Sequence, residues 1–147
     1  MAIHDPDGRL DDVRDGMERL LRSRLCASTP AQYGYLAGLI ESRDWMFSYR
    51  EKLLERRNYA VKRIKEMRGV DTETPEGSFY MFPKLLDDRW SGDDKQFVLD
   101  FLHNEHVLVV HGSGFSKELG SGHFRIVFLP QIELLEEAFD RLNRFLN

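Results

Sequence analysis

An α+β fold is predicted for this chain, with helices first and a small mixed sheet after them. Three observations carry that prediction. Apolar residues recur at helical spacing through the first 68 positions, and the texture changes after Gly69. Beyond Gly69, short apolar runs and two amphipathic stretches follow in the order β-β-α-β-β-α. The expected organisation is a helical segment at 1–41, a long connecting helix at 42–69, and a small α+β domain at 70–147 with its helices on one face of the sheet.

Asp5-Pro6-Asp7-Gly8 reads as a turn. After it, Leu10, Val13, Met17, Leu20 and Leu21 fall at helical spacing. Ser28-Thr29-Pro30 pairs a capping residue with a proline suited to a first helical turn. The helix it starts, Pro30 to Ile40, holds Tyr33, Tyr35, Leu36, Ala37, Leu39 and Ile40, so it is apolar on most sides and calls for cover on most sides. From Ser42 to Arg68, Met46, Tyr49, Leu53, Ala60, Ile64 and Met67 form one narrow stripe, with Gly69 as its stop. Such a helix is roughly 40 Å long. One thin stripe on so long a rod suits a connector between two bodies.

Strands are expected at Val70–Thr74, Ser78–Pro83, Val107–Val110 and Phe124–Leu129. Asp93 or a neighbour caps a helix that turns Phe97, Val98, Phe101 and Leu102 inward. Pro130 opens a last helix with Leu135, Ala138, Phe139, Leu142 and Leu146 inside.

Composition narrows the function. Ten Phe, five Tyr and two Trp in 147 residues supply a real core. Residues 1–68 carry 14 basic against 11 acidic side chains, and residues 69–147 carry 7 against 14. The acidic second half is a poor partner for nucleic-acid phosphates or anionic lipid. A single cysteine, Cys26, allows no disulfide framework and suits a reducing, cytoplasmic setting. Neither a signal peptide nor a membrane span is expected.

Most candidate chemistry fails on spacing. His103 and His106 sit three apart at a helix end, with His111 and His123 around the glycine-rich loop, and no thiol or carboxylate completes a metal set. Gly112-Ser113-Gly114 follows a strand but leads back into one, so no helix N-terminus waits for a phosphate. Phe124 and Phe128 alternate like the stacking aromatics of an RNA-recognition strand, without the basic residue or the terminal strand that such a module needs. Cys26 has no neighbouring base, and the pairs Asp87-Asp88 and Asp93-Asp94 read as solvated turn and cap residues. Arg125 is different: it stands in register with Val127 and Leu129 on a strand after a loop whose glycines suggest mobility. Two readings stand side by side, a stem covering the sheet edge and a planar clamp for a carboxylate.

Three stretches together resemble one family. They are RLCASTPAQYGYLAGL (Arg24–Leu39), PEGSFYMFP (Pro75–Pro83), and VLVVHGSGFSKELGSGHFRIVFLP (Val107–Pro130) with LLEEAFDRL behind it. The chain resembles the C-terminal portion of the class I/II, fold-type I PLP-dependent aminotransferases. The resemblance implies that Arg125 binds the α-carboxylate of an amino or 2-oxo acid and that Phe115 touches the substrate. His111 stands where the family usually has proline, which implies a looser start to the loop. It also implies a Schiff-base lysine upstream of the matched region. Lys52, Lys62, Lys65, Lys84, Lys95 and Lys117 all lack its strand-end context. The reading is therefore a truncated aminotransferase: the end of the large domain, the connector and the small domain, with no catalytic residue, no metal and no PLP held by this chain alone. A homo-oligomer is expected, because an uncovered apolar helix finds company. The competing reading is a non-catalytic ligand- or protein-binding module that uses that helix. A clean monomer in sedimentation, with the helix ordered, would argue against an orphaned interface.

Overall fold

The computed structural model describes residues 7–23, 26–41, 43–90 and 92–147. Asp5 and Pro6 of the expected turn, Arg24 and Leu25 of the first motif, and Ser42 at the expected start of the long helix lie outside them. The chain divides into two compact units, Met1–Asp44 and Trp45–Asn147.

The first unit holds α1 (Asp11–Arg22) and α2 (Thr29–Ile40). Asp11 and Asp12 occupy the first turn of α1 and Arg19 and Arg22 the last, the arrangement that complements the helix dipole. Ion pairs Arg14–Asp11 and Arg19–Asp15, at 3.1 and 2.6 Å, run along its surface. In α2, Ser28 takes the N-cap position and Pro30 lies in the first turn, where its missing N–H costs nothing. No residue of α2 is buried, and Tyr33, Tyr35, Leu36, Leu39 and Ile40 are all exposed.

The second unit opens with α3 (Asp44–Glu66), a 23-residue helix whose stripe divides in two. Ala60, Ile64 and Met67 enter the core, whereas Met46 and Tyr49 remain exposed beside Trp45 and Phe47. The helix stops at Glu66, and Gly69 turns the chain with φ +82°, a conformation only glycine adopts at little cost.

The sheets are built from shorter pieces than the sequence suggests. β1 (Val70–Asp71) pairs antiparallel with β3 (Lys84–Leu85), which the sequence reading did not anticipate. β2 (Tyr80–Met81), β5 (Phe124–Val127) and β4 (Val110–His111) form an antiparallel sheet with β5 in the middle. The expected strand at 107–110 contracts to its last residue plus His111. Irregular backbone bonds extend the pairing, with Phe124 N–H donating to the Pro83 carbonyl and Phe128 N–H to that of Phe79.

Register separates the two faces. Tyr80 lies opposite Val127 and Val110 opposite Arg125, while Met81 lies opposite Ile126. Phe124, Met81 and Phe128 are buried, with Val109 beside them. α4 (Asp94–Glu105) and α5 (Ile132–Leu146) supply Phe97, Val98, Phe101, Leu135, Phe139, Leu142 and Leu146 to the same core. Asp93 caps α4 by accepting the Gln96 N–H, and His106 closes it in a left-handed conformation.

Arginines fasten this unit. Arg141 donates to the Glu105 carbonyl at the end of α4, Arg89 to the Leu146 carbonyl at the end of α5, and Arg56 on α3 to the Leu129 carbonyl. Arg144 grips both oxygens of Glu105 at 2.6–3.2 Å and holds that carboxyl below its ordinary value. Arg89 does the same to Asp87. A depressed carboxylate stabilises the fold above its unfolded value, about 4.3 for Glu, and that stabilisation is lost as pH falls through the lower folded value. Thermal stability of the chain should therefore hold near neutrality and drop on acidification below about pH 4. Glu105→Gln should flatten that acid limb, as read by melting curves across pH; an unchanged limb would remove Glu105 from the account.

Candidate functional site

Arg125 stands on the central strand of the three-stranded sheet, on the face opposite the phenylalanine core. Pairing on both sides fixes its backbone, so the side chain leaves from a rigid point. Its guanidinium carbon lies 4.4 Å from the centre of the Tyr80 ring and 4.6 Å from that of Phe115. Contacts of this kind contribute about 0.5–2 kcal/mol each, more as water is excluded. The Nε of Arg125 is buried with no hydrogen-bond partner among the described residues. A groove of about 530 Å³ between the β4–β5 pair and α5 includes Arg125 in its lining along with the charged Glu137 and Arg141, but neither Tyr80 nor Phe115 lines it.

Phe115 reaches Arg125 from the loop after β4. Its ring is 54% exposed and meets Phe82 edge-on at 5.9 Å, and Phe82 stacks on His123 at 5.3 Å. The rings thus form a row running Tyr80, Arg125, Phe115, Phe82, His123. The structure brings the two expected site residues, Arg125 and Phe115, together.

The loop is far more organised than its glycines suggest. Gly112–Gly114 forms a 3₁₀ turn, and Gly112 N–H donates to the His123 carbonyl at 2.8 Å to close the loop at its base. Gly120 N–H donates to the Ser116 carbonyl, and His123 N–H to that of Gly120. Gly112 and Gly120 press backbone to backbone: a β-carbon on Gly112 would lie 2.2 Å from the Gly120 carbonyl oxygen. Glycine here permits close approach rather than motion.

Two expectations change. Asp94 is no solvated turn residue: it is 3% exposed and accepts the Ser113 N–H at 2.7 Å, tying the loop to the start of α4. Its N-terminal helical position offsets part of the cost of burying the carboxylate. His111 starts the loop with a φ of −66°, the value a proline would fix, so the backbone there has the geometry of the expected proline. Its Nδ1 lies 3.0 Å from Ser113 Oγ, across the turn it opens. His111 Nδ1 is also 3.9 Å from Asp94, so serine and aspartate face the same ring nitrogen and cannot form a Ser-His-Asp relay through it.

Among the described residues, no three His, Cys, Asp or Glu side chains gather as a metal site, and no helix is long and apolar enough to cross a membrane. Tyr80 and Asp94 are the residues that sequence reasoning passed over. Tyr80 carried a usable signal, since alternation within SFYMFP puts it on the open face. Asp94 carried none.

The whole chain is 37% identical to a glutamate–pyruvate aminotransferase of Haemophilus influenzae, of which it spans 37%. It superposes on an alanine aminotransferase from Pyrococcus furiosus with a TM-score of 0.82 at 54% identity, covering 96% of this chain and 35% of that one. Its homologues are aminotransferases, matched along the whole of this chain. An aminotransferase structure from Escherichia coli matches with a TM-score of 0.83 at 36% identity, over 99% of this chain and 37% of its own. No protein-family model matches the chain. The chain spans little more than a third of the length of the relatives it matches. PLP is the cofactor of that family.

Proposed function

We propose that this chain is the C-terminal, substrate-carboxylate-binding part of a PLP-dependent aminotransferase acting on amino acids and 2-oxo acids. In this reading Arg125 grips the α-carboxylate and Phe115 touches the substrate. The observation that carries it is the guanidinium on the open sheet face, held by two rings and paired with no carboxylate among the described residues. A planar guanidinium on a rigid strand offers two parallel N–H donors matched to a carboxylate.

The residues present do not fit PLP on their own. A Schiff-base lysine works from a shielded site that favours its neutral amine, and all six lysines here are exposed. The chain alone is therefore proposed to be inactive, and no reaction step is assigned to it. A cytoplasmic setting suits the single exposed thiol, Cys26. Self-association through α2, with none of its residues buried, belongs to the same reading and is what sedimentation tests.

One experiment addresses both parts. Titration of the chain with pyruvate, followed by NMR, should shift resonances around Arg125, and Arg125→Lys should weaken the response about 10-fold or more. Added PLP should give no lysine-linked absorbance and no exchange between amino and 2-oxo acid. Turnover by the chain alone, or pyruvate binding indifferent to Arg125→Lys, would sink the proposal.

A further inference from the structure

Arg125 is handled unlike three other arginines of its unit. Arg56, Arg89 and Arg141 each direct guanidinium N–H groups at a backbone carbonyl. Arg125 donates to nothing among the described residues, and its Nε–H is buried without an acceptor. Burying an unsatisfied donor costs about 1–3 kcal/mol, so something else must hold the side chain in this pose. The two ring contacts are what the structure offers.

Tyr80 is placed to do this by register. It lies opposite Val127, two residues along β5 from Arg125 and on the same face, a diagonal that long and aromatic side chains bridge. Phe115 comes from the other side of β5, through the loop after β4, and Phe82 braces it. Both rings meet the guanidinium through their faces. A guanidinium stacked on a ring face keeps its in-plane N–H edge free for a ligand. The buried, partnerless nitrogen is Nε, so the free edge is the terminal Nη pair.

We propose that Tyr80, together with Phe115, is a positioning residue for Arg125, holding the guanidinium so that its Nη edge faces an incoming carboxylate. This rests on Arg125 as the carboxylate-binding group, but its decisive readout needs no ligand. A leucine at position 80 keeps apolar packing and loses the ring quadrupole, whereas phenylalanine keeps both.

The test follows the Arg125 Nε–H signal of the 147-residue chain by ¹H–¹⁵N NMR, assigned by its loss in Arg125→Lys. In the unsubstituted chain it should lie away from the bulk arginine position and exchange slowly. Tyr80→Phe should preserve both properties, and Tyr80→Leu should return the signal to bulk and weaken pyruvate binding about 3- to 30-fold. Phe115→Leu, at a more exposed position, gives the same comparison should Tyr80→Leu fail to fold. A bulk-like Arg125 signal in the unsubstituted chain, or a displaced one that survives both leucine variants, overturns the proposal. A signal that responds as expected in a chain that never binds pyruvate supports the positioning role and overturns the carboxylate reading instead.

Discussion

Phe97→Ala is expected to cost the Trp45–Asn147 unit about 3–5 kcal/mol, the range for emptying a well-packed phenylalanine site. Phe97 is fully buried and is the hub of an aromatic cluster, with ring centres 4.9 Å from Phe124, 5.7 Å from Phe145, 5.8 Å from Trp90 and 5.9 Å from Phe101. These partners come from β5, α5, the segment before α4 and α4 itself, so no single element can collapse into the space. For a unit of this size the melting temperature should fall by upward of about 10 °C. Phe97→Leu should lose clearly less. Near-ultraviolet circular dichroism during heating follows the aromatic packing directly. A loss below about 1 kcal/mol would mean that the cluster repacks and that Phe97 is no hub.

Gly120→Ala should damage the site while leaving that core standing. A β-carbon there would lie 2.0 Å from the Gly112 carbonyl oxygen, 2.5 Å from its carbon and 2.6 Å from the Ser116 carbonyl oxygen. All three are backbone atoms, so no flexible side chain can swing away, and the loop itself must open. Opening carries Phe115 off Arg125, so the displaced Nε–H signal and pyruvate binding should both fade, toward the level of Arg125→Lys. Gly77→Ala is the control, since nothing lies within 4 Å of its added methyl and its φ is not positive. A Gly120→Ala chain with the Arg125 signal intact would show that the loop does not hold Phe115 in place.

Local chemistry was legible in the sequence, and contact between distant segments was not. α1, α2, α4 and α5 follow their 3.6-residue periods, and α2, α4 and α5 start within about two residues of their expected first turns, because helix signals are local. The strands were overdrawn: β2 and β4 are two residues long, and the bonds around Pro83 and Phe128 continue the pairing without regular geometry. β3 hid behind Pro83, a residue that argues against a strand when read alone. The α3 stripe was visible, but its division into a packed half and a bare half depends on what stands opposite. Alternation put Arg125 in register with Val127 and Leu129 and left its role open. The burial of Asp94, the close approach of Gly112 to Gly120 and the ring row all join residues far apart in sequence or set by the loop's path.

The spent arginines of the acidic half have a kinetic consequence. Of the four arginines after residue 69, Arg89, Arg141 and Arg144 are engaged with carboxylates or backbone carbonyls. Arg125 is thus set in a stretch with 7 basic against 14 acidic side chains. At long range an anion is repelled rather than steered. It gains only on touching the guanidinium edge, so discrimination falls on fit at contact and on residence time, and added salt should ease its approach rather than hinder it.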